Sequence, residues 1–461
     1  MISGDTIAAI ATAPGRGGVA VVRVSGSEAF AIAKKVTSAN GRLVGWSADR
    51  MANRISAQHA LFYDLSSDQR INRPAEQVID EGILLAFKAP HSYTGEDVVE
   101  FQCHGGTVTP RRVLEACLAA GARLAHRGEF TERAFLNGKL DYAQAESVLD
   151  LIDAKTPRAA DAALEGLSGR RRRECRALYE SALDLSTRLE HALDIDEGEL
   201  PVGFADELRV ASCELRVKIV EAIRKASEGM LLRAGALVVL AGPPNAGKSS
   251  LMNALLEENR AIVSETPGTT RDSIEAWIDL DGWPIRLVDT AGLREAKDEV
   301  EGEGVRRAEE LLSKADVVIW LRGYGVTGLR GSDNFNPATP QPRNFITIHP
   351  KCDLGRGEGL NVSAKTGEGL DELKRAIVAK LEGKVAASDS GDVPDGDITA
   401  YQEALALLNG GLSTEDESRE GDLVLLANAV RAATERLGTA FGATYSSDLL
   451  DKLFSRFCVG K

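Results

Sequence analysis

Gly242-Pro243-Pro244-Asn245-Ala246-Gly247-Lys248-Ser249 matches the pattern Gly-x-x-x-x-Gly-Lys-Ser/Thr and stands between the continuous apolar run Ala236 to Ala241 and the amphipathic run Ser250 to Leu256. A glycine-rich segment between a buried strand and a helix reads as a phosphate loop. Its glycines let the backbone curl until several N–H groups and the helix N-terminus converge on one β-phosphate. Lys248 sets a compact charge near the β and γ oxygens, and Ser249 offers a hydroxyl to Mg²⁺. Apolar runs recur at Ile285 to Val288, Val317 to Leu321 and Phe345 to Ile348 with helical stretches between them, which predicts a doubly wound α/β domain over residues 235–383.

Downstream segments follow in the order a nucleotide switch requires. Pro267-Gly268-Thr269-Thr270-Arg271-Asp272 offers Thr270 as a second hydroxyl for Mg²⁺, and Asp289-Thr290-Ala291-Gly292 ends an apolar strand, so Asp289 can hold a metal-bound water while the Gly292 N–H faces a γ-phosphate. Two loops held by one phosphate oxygen cluster are released when it leaves. Guanine is read in this class by Asn-Lys-x-Asp after a strand. Here the four positions are Pro350-Lys351-Cys352-Asp353, so Lys351 and Asp353 are kept and the Asn is not. Asn361-Val362-Ser363-Ala364-Lys365 fits the second base-contacting loop, and GTP is favoured over ATP, with Pro350 predicting an altered nucleotide affinity. The water-orienting Gln of Ras-type enzymes is replaced by Leu293, which leaves Glu295, Asp298, Glu299 and Glu301 as acidic candidates in the same loop.

Outside this domain, residues 1–137 alternate short apolar runs with Gly/Pro turns, as in Val19 to Val24 after Pro14-Gly15-Arg16-Gly17-Gly18, a mixed α/β pattern. Asp141-x-x-Gln144 resembles a capping box and opens a helical region, residues 138–234. Leu178, Ala182, Leu185, Leu189 and Ala192 fall at the four–three spacing of packed long helices, and helical periodicity returns within residues 384–461 at Leu423, Leu426, Val430, Ala433 and Leu437. The expected fold class is thus multidomain α/β and all-α, a P-loop GTPase domain preceded by an α+β domain and inserted between helical segments, an arrangement that permits, without requiring, one discontinuous helical domain.

The balance of 55 Lys+Arg against 69 Asp+Glu, a net charge of −14, excludes a polycationic nucleic-acid binder, and the arginine run 170–173 reads as a solvated helix face. With 43% hydrophobic residues the cores are ample, but no stretch reaches the roughly 20 apolar residues of a membrane helix. Met1-Ile2-Ser3-Gly4-Asp5 has neither a basic n-region nor an apolar h-region, so a cytoplasmic location and no membrane partner are expected. The cysteines at 103, 117, 175, 213, 352 and 458 form no Cys-x-x-Cys pair, which argues against both a disulfide framework and a structural zinc.

Gly242 to Asn253, Ala261 to Asp272 and Asp289 to Gly304 resemble the G domain of the MnmE (TrmE) family of tRNA modification GTPases. The stretches Pro90 to Glu100, Gly128 to Lys139 and Phe457-Cys458-Val459-Gly460-Lys461 are similar to the same family's signatures, so the resemblance covers nearly the whole chain. It departs at Pro350, at Arg127, where a Pro usually precedes Gly-Glu-Phe, and at Ile195-Asp196-Glu197-Gly198.

The resemblance implies an N-terminal domain that dimerises and binds 5-formyl- or methylene-tetrahydrofolate through Arg23, Glu100, Lys139 and Lys461. Alternation in Val98 to His104 is compatible, since it turns Glu100 away from the core side, where a carboxylate can accept two hydrogen bonds from an aminopyrimidine edge. It implies GTP contacts at Asn245, Ala246, Gly247, Lys248, Ser249, Ser250, Ser264, Thr269, Thr270, Asp289, Thr290, Ala291, Gly292, Lys351, Asp353, Ser363, Ala364 and Lys365. It further implies K⁺-assisted hydrolysis between paired G domains, with Asn245, Ser264, Thr266 and Thr269 around the ion and Glu301 orienting water. The implied partners are a second copy of the chain, an FAD-dependent enzyme in a heterotetramer, and tRNA, whose wobble uridine receives an aminomethyl-type group. The competing reading is a regulatory GTPase, in ribosome assembly or signalling, without one-carbon chemistry.

Overall fold

The computed structural model describes residues 4–39, 42–43, 55–63, 78–195, 201–258, 275–289, 310–322, 345–357, 359–386, 396–412, 419–442, 450 and 453–461. The chain divides into two compact units, residues 1–149 with 444–461, and residues 150–443.

The first unit is built on a six-stranded sheet ordered β5-β6-β7-β2-β1-β8, where β1 is Ile7–Ile10, β2 Val19–Ser25, β5 Ile55–Tyr63, β6 Val78–Phe87, β7 Val98–His104 and β8 Arg123–Leu124; a two-residue pair, β3 (Ser38–Ala39) and β4 (Arg42–Leu43), stands apart. Neighbours run antiparallel except β1 and β8, which are parallel. Period-two alternation does the sorting: Ala20, Val22 and Val24 of β2 and Val99, Phe101 and Cys103 of β7 turn into one core under α1 (Ala29–Val36) and α2 (Thr109–Ala119). The opposite face carries Arg23 directly beside Glu100 in the strand register. Next come α3 (Glu129–Leu136) and α4 (Tyr142–Asp153). The box at the start of α4 forms reciprocally, Asp141 N–H donating to Gln144 Oε1 at 2.9 Å and Gln144 N–H to Asp141 Oδ1 at 2.8 Å. Ala145 and Leu149 of α4 pack with Leu453, Phe454 and Phe457, and the tail then passes so close to β1 that a Cβ on Gly460 would lie 2.2 Å from the Ile10 carbonyl oxygen.

In the second unit, α5 (Pro157–Leu167), α6 (Arg170–Leu193) and α7 (Phe204–Ala234) precede a second six-stranded sheet. Its order is β10-β11-β9-β12-β13-β14, with β9 at Ala236–Ala241, β10 Glu275–Leu280, β11 Trp283–Asp289, β12 Val317–Leu321, β13 Phe345–Pro350 and β14 Leu360–Val362. Only β10 pairs antiparallel; the rest is parallel and buried, as its unbroken apolar strands require. Helix α8 (Lys248–Glu258) follows β9, and α9 (Leu370–Ala386) follows β14. After the sheet come α10 (Gly396–Leu412) and α11 (Arg419–Gly442). The stripe Leu178, Ala182, Leu185, Leu189 and Ala192 is buried against Leu215 and Ile219 of α7, Leu408 of α10 and Val430 and Leu437 of α11. Helices from both sides of the sheet domain therefore share one core, the discontinuous bundle with an inserted α/β domain. The arginine run opens α6 on its exposed side, where Arg170 pairs with Glu165 and Glu174. No described helix is long and apolar enough to cross a membrane.

Candidate functional site

The phosphate loop is shaped by what its backbone must do. Gly242 has φ 147°, and a Cβ there would sit 2.5 Å from the Leu321 carbonyl oxygen of β12, so the strand ends approach more closely than a side chain permits. Asn245, at φ 60°, and Gly247, at φ 96°, complete the curl, and α8 begins at Lys248. The buried Lys248 ammonium donates to the carbonyls of Gly242 (3.0 Å) and Pro243 (2.9 Å), which places it inside the loop where phosphate oxygens would lie. Ser249 Oγ donates to Asp289 Oδ2 at 2.7 Å, with Asp289 buried at the end of β11. A hydroxyl and a carboxylate in contact are the hard oxygen donors that fit Mg²⁺. Ser249 would bind the ion directly, Asp289 would hold one of its waters, and the bound ion neutralises phosphate charge.

Beside the loop is a cavity of about 300 Å³. Ala246, Gly247 and Ser250 form one wall; Pro350, Lys351, Asp353, Ser363, Ala364 and Lys365 form the others. Lys351, itself at φ 60°, reaches across to donate to the Asn245 carbonyl at 3.1 Å, tying the base loop to the phosphate loop. Ser363 Oγ donates to Asp353 Oδ1 at 2.7 Å and fixes the carboxylate. A fixed carboxylate suits a purine edge carrying two adjacent N–H donors, which guanine presents and adenine does not. Pro350 closes β13 opposite Val362 and brings a ring without a donor to the cavity wall. The Ser363–Asp353 bond is a feature that sequence order alone did not give.

Ser264, Thr266, Thr269, Thr270, Thr290, Ala291, Gly292 and Glu301 lie outside the described residues, as do Glu295, Asp298 and Glu299. Of the expected K⁺ ligands, Asn245 alone falls within them.

A second polar cluster sits on the face of the N-terminal sheet opposite the core under α1 and α2. Arg23 Nε donates to Glu100 Oε1 at 2.8 Å, and the guanidinium stands 5.6 Å from the ring centroids of both Tyr93 and Phe130. Burial and the Arg23 charge hold the Lys461 ammonium below its ordinary pKa. Arg23, its Glu100 partner and the Lys461 ammonium give this largely buried patch charged donors beside a carboxylate acceptor, which suits a ligand with carboxylates and a flat polar ring. Lys139 is engaged elsewhere, donating to the Pro90 carbonyl at 3.1 Å. Tyr93 and Phe130, which position Arg23, were visible only as members of the 90–100 and 128–139 motifs; their convergence is a property of the fold.

Residues 6–139 match the family described as GTP-binding protein TrmE N-terminus, and residues 142–458 match the MnmE helical domain. The tRNA modification GTPase MnmE of Dichelobacter nodosus is 42% identical, with 100% of each chain covered. That of Symbiobacterium thermophilum is 41% identical over 99% of each. Among solved structures, the G domain of the T. maritima FeoB iron transporter aligns at 27% identity over 32% of this chain and 98% of that one, with a TM-score of 0.22. Full-length identity at this level, two matched domains and a phosphate loop joined to a base cavity lead to one assignment: the chain belongs to the MnmE (TrmE) family.

Proposed function

We propose that this chain is a GTP hydrolase that works, with a flavin-dependent partner, on the wobble uridine of tRNA, adding an aminomethyl-type group from a tetrahydrofolate one-carbon unit. The observation that carries the nucleotide half is the continuous path from Asp353 and Lys351 in the base cavity, through Asn245, to Lys248 and the Ser249–Asp289 pair. In this reading the base is held by Asp353, the phosphates by the loop amides and Lys248, and Mg²⁺ by Ser249 and Thr270. Asn245, Ser264, Thr266 and Thr269 supply oxygen to K⁺ when the G domains of two copies meet, and Glu301 orients the attacking water. K⁺ held by these oxygens would neutralise negative charge that grows in the transition state, the role an arginine finger has elsewhere. Arg23, Glu100 and Lys461, with Lys139, take the folate. The domain bounds proposed are 1–137, 138–234, 235–383 and 384–461, the assembly a homodimer joined to the FAD-dependent enzyme, and the compartment the cytoplasm.

Mass analysis of wobble uridines tests this reading in cells lacking the chain. Rescue by the wild type and failure by Lys248→Ala is the expected result; unchanged nucleosides without the chain exclude the modification role. GTP turnover in KCl should exceed that in NaCl by about tenfold or more, and equal rates remove the K⁺ assignment. Glu100→Ala should lose 5-formyl-tetrahydrofolate binding, while a wild type that binds none points to a regulatory GTPase.

A further inference from the structure

The hairpin β10–β11 lies in sequence between the two segments expected to sense the γ-phosphate, residues 267–272 and 289–292, and its far end is gripped by the helices. Its turn is Asp281-Gly282, with φ 49° and 85° after the Leu280–Trp283 pair, the two-residue geometry that matches strand twist. At this tip the Gly282 carbonyl accepts from Thr156 Oγ1 at 2.7 Å, and the same Oγ1 caps α5 by accepting from Ala159 N–H at 3.2 Å. Arg158 lays its guanidinium 4.2 Å from the centroid of the buried Trp283 ring and donates to Glu228 Oε1 of α7 at 2.5 Å. The fit is tight, since a Cβ on Gly282 would lie 3.0 Å from Arg158 Cβ. Gly235, which ends α7, would meet Trp277 of β10 at 2.2 Å if it carried one. Ala159, Leu231 and Leu232 complete the joint by sharing a core with Trp283 and Ile285.

We infer that Arg158 is a positioning residue through which the nucleotide state reaches the helical bundle. Strand β11 is fixed at one end by Asp289, which bonds Ser249 beside the phosphate loop, and at the other by Trp283 beneath Arg158. An extended strand of this length, on the order of 20 Å, does not compress, so a shift at Asp289 is delivered to the Trp283 end. Thr156 grips only the turn; Arg158 ties β11, α5 and α7 into one body through the stack and the Glu228 pair. The inference rests on the nucleotide reading above and names where that site's state is relayed.

Hydrogen exchange on the full chain tests it with GDP and with a non-hydrolysable GTP analogue, each with Mg²⁺ and K⁺. Either nucleotide should protect residues 248–258. In the wild type, exchange in 156–167 and 224–234 should differ between the two nucleotides by about threefold or more. Arg158→Ala should keep protection of 248–258 and lose that difference. Glu228→Gln, a milder change that leaves the stack, should reduce it by at least about half and covers the case in which the alanine variant is poorly folded. The same difference in both variants as in the wild type, or none in the wild type while 248–258 is protected, overturns the relay. No protection of 248–258 by either nucleotide overturns the GTP reading itself, and the relay with it.

Discussion

Arg133 keeps 3% of its side chain exposed and meets Asp5 at 3.0 Å, Glu96 at 3.2 Å and Glu129 at 3.0 Å. Glu129 also accepts from Arg123 at 2.6 Å and from the His126 N–H at 2.8 Å. Burial alone opposes the charge on Glu129, but Arg123, the His126 N–H and Arg133 outweigh it and hold the carboxyl below its ordinary pKa. The folded chain therefore binds fewer protons here than the unfolded one, so the stabilisation is complete above about pH 4.3 and is lost as pH falls through the lowered value. Glu129→Gln should flatten that acid-side fall in melting temperature. At neutral pH it should cost about 1.5–3 kcal/mol, the worth of charge-assisted hydrogen bonds, since Arg133 keeps Asp5 and Glu96 and Arg123 keeps Asp5. In the base cavity, Asp353→Asn should weaken GDP binding by about tenfold or more in calorimetry, since on the proposed reading the base would lose its charged acceptor. Lys248, Ser249 and Asp353 were legible because their chemistry is local and ordered along the chain. The approach of Tyr93 and Phe130 to Arg23 was not, because it joins segments that only the folded sheet and α3 bring together.

Helices and strands were the most readable level. The four–three stripe of α6 is buried along its length, and the runs at 236–241, 285–288, 317–321 and 345–348 are all strands, since an unbroken apolar run is stable only between covered faces. Asp141→Ala removes one arm of the α4 capping box and should cost about 0.5–2 kcal/mol by thermal unfolding, with Asp141→Asn nearly neutral. Less legible was the grip of α5 on the β10–β11 turn. Nothing in the periodicity of Pro157–Leu167 distinguishes Arg158 from any exposed arginine; its role depends on Trp283 and Glu228, brought to it by tertiary packing.

At the scale of the whole molecule, the proposed hydrolysis between two copies would carry a kinetic signature. If each active centre needs the facing protomer, GTP turnover per chain should rise with protein concentration in KCl and level off once pairing is complete; a flat dependence down to nanomolar protein would argue for a self-sufficient monomer. Helical periodicity on both sides of the α/β domain permitted a discontinuous bundle without requiring it; the core shared by α6, α7, α10 and α11 establishes it. The return of residues 453–461 to the N-terminal unit was not, because a short tail carries no period of its own and its placement rests on Phe454, Phe457 and Gly460 meeting α4 and β1. That return sets an order of events during synthesis. Ala145 and Leu149 leave the ribosome early, yet the aromatic residues that cover them are translated only after the entire second unit, so α4 waits, with one flank bare, for a segment made some three hundred residues later to seal it.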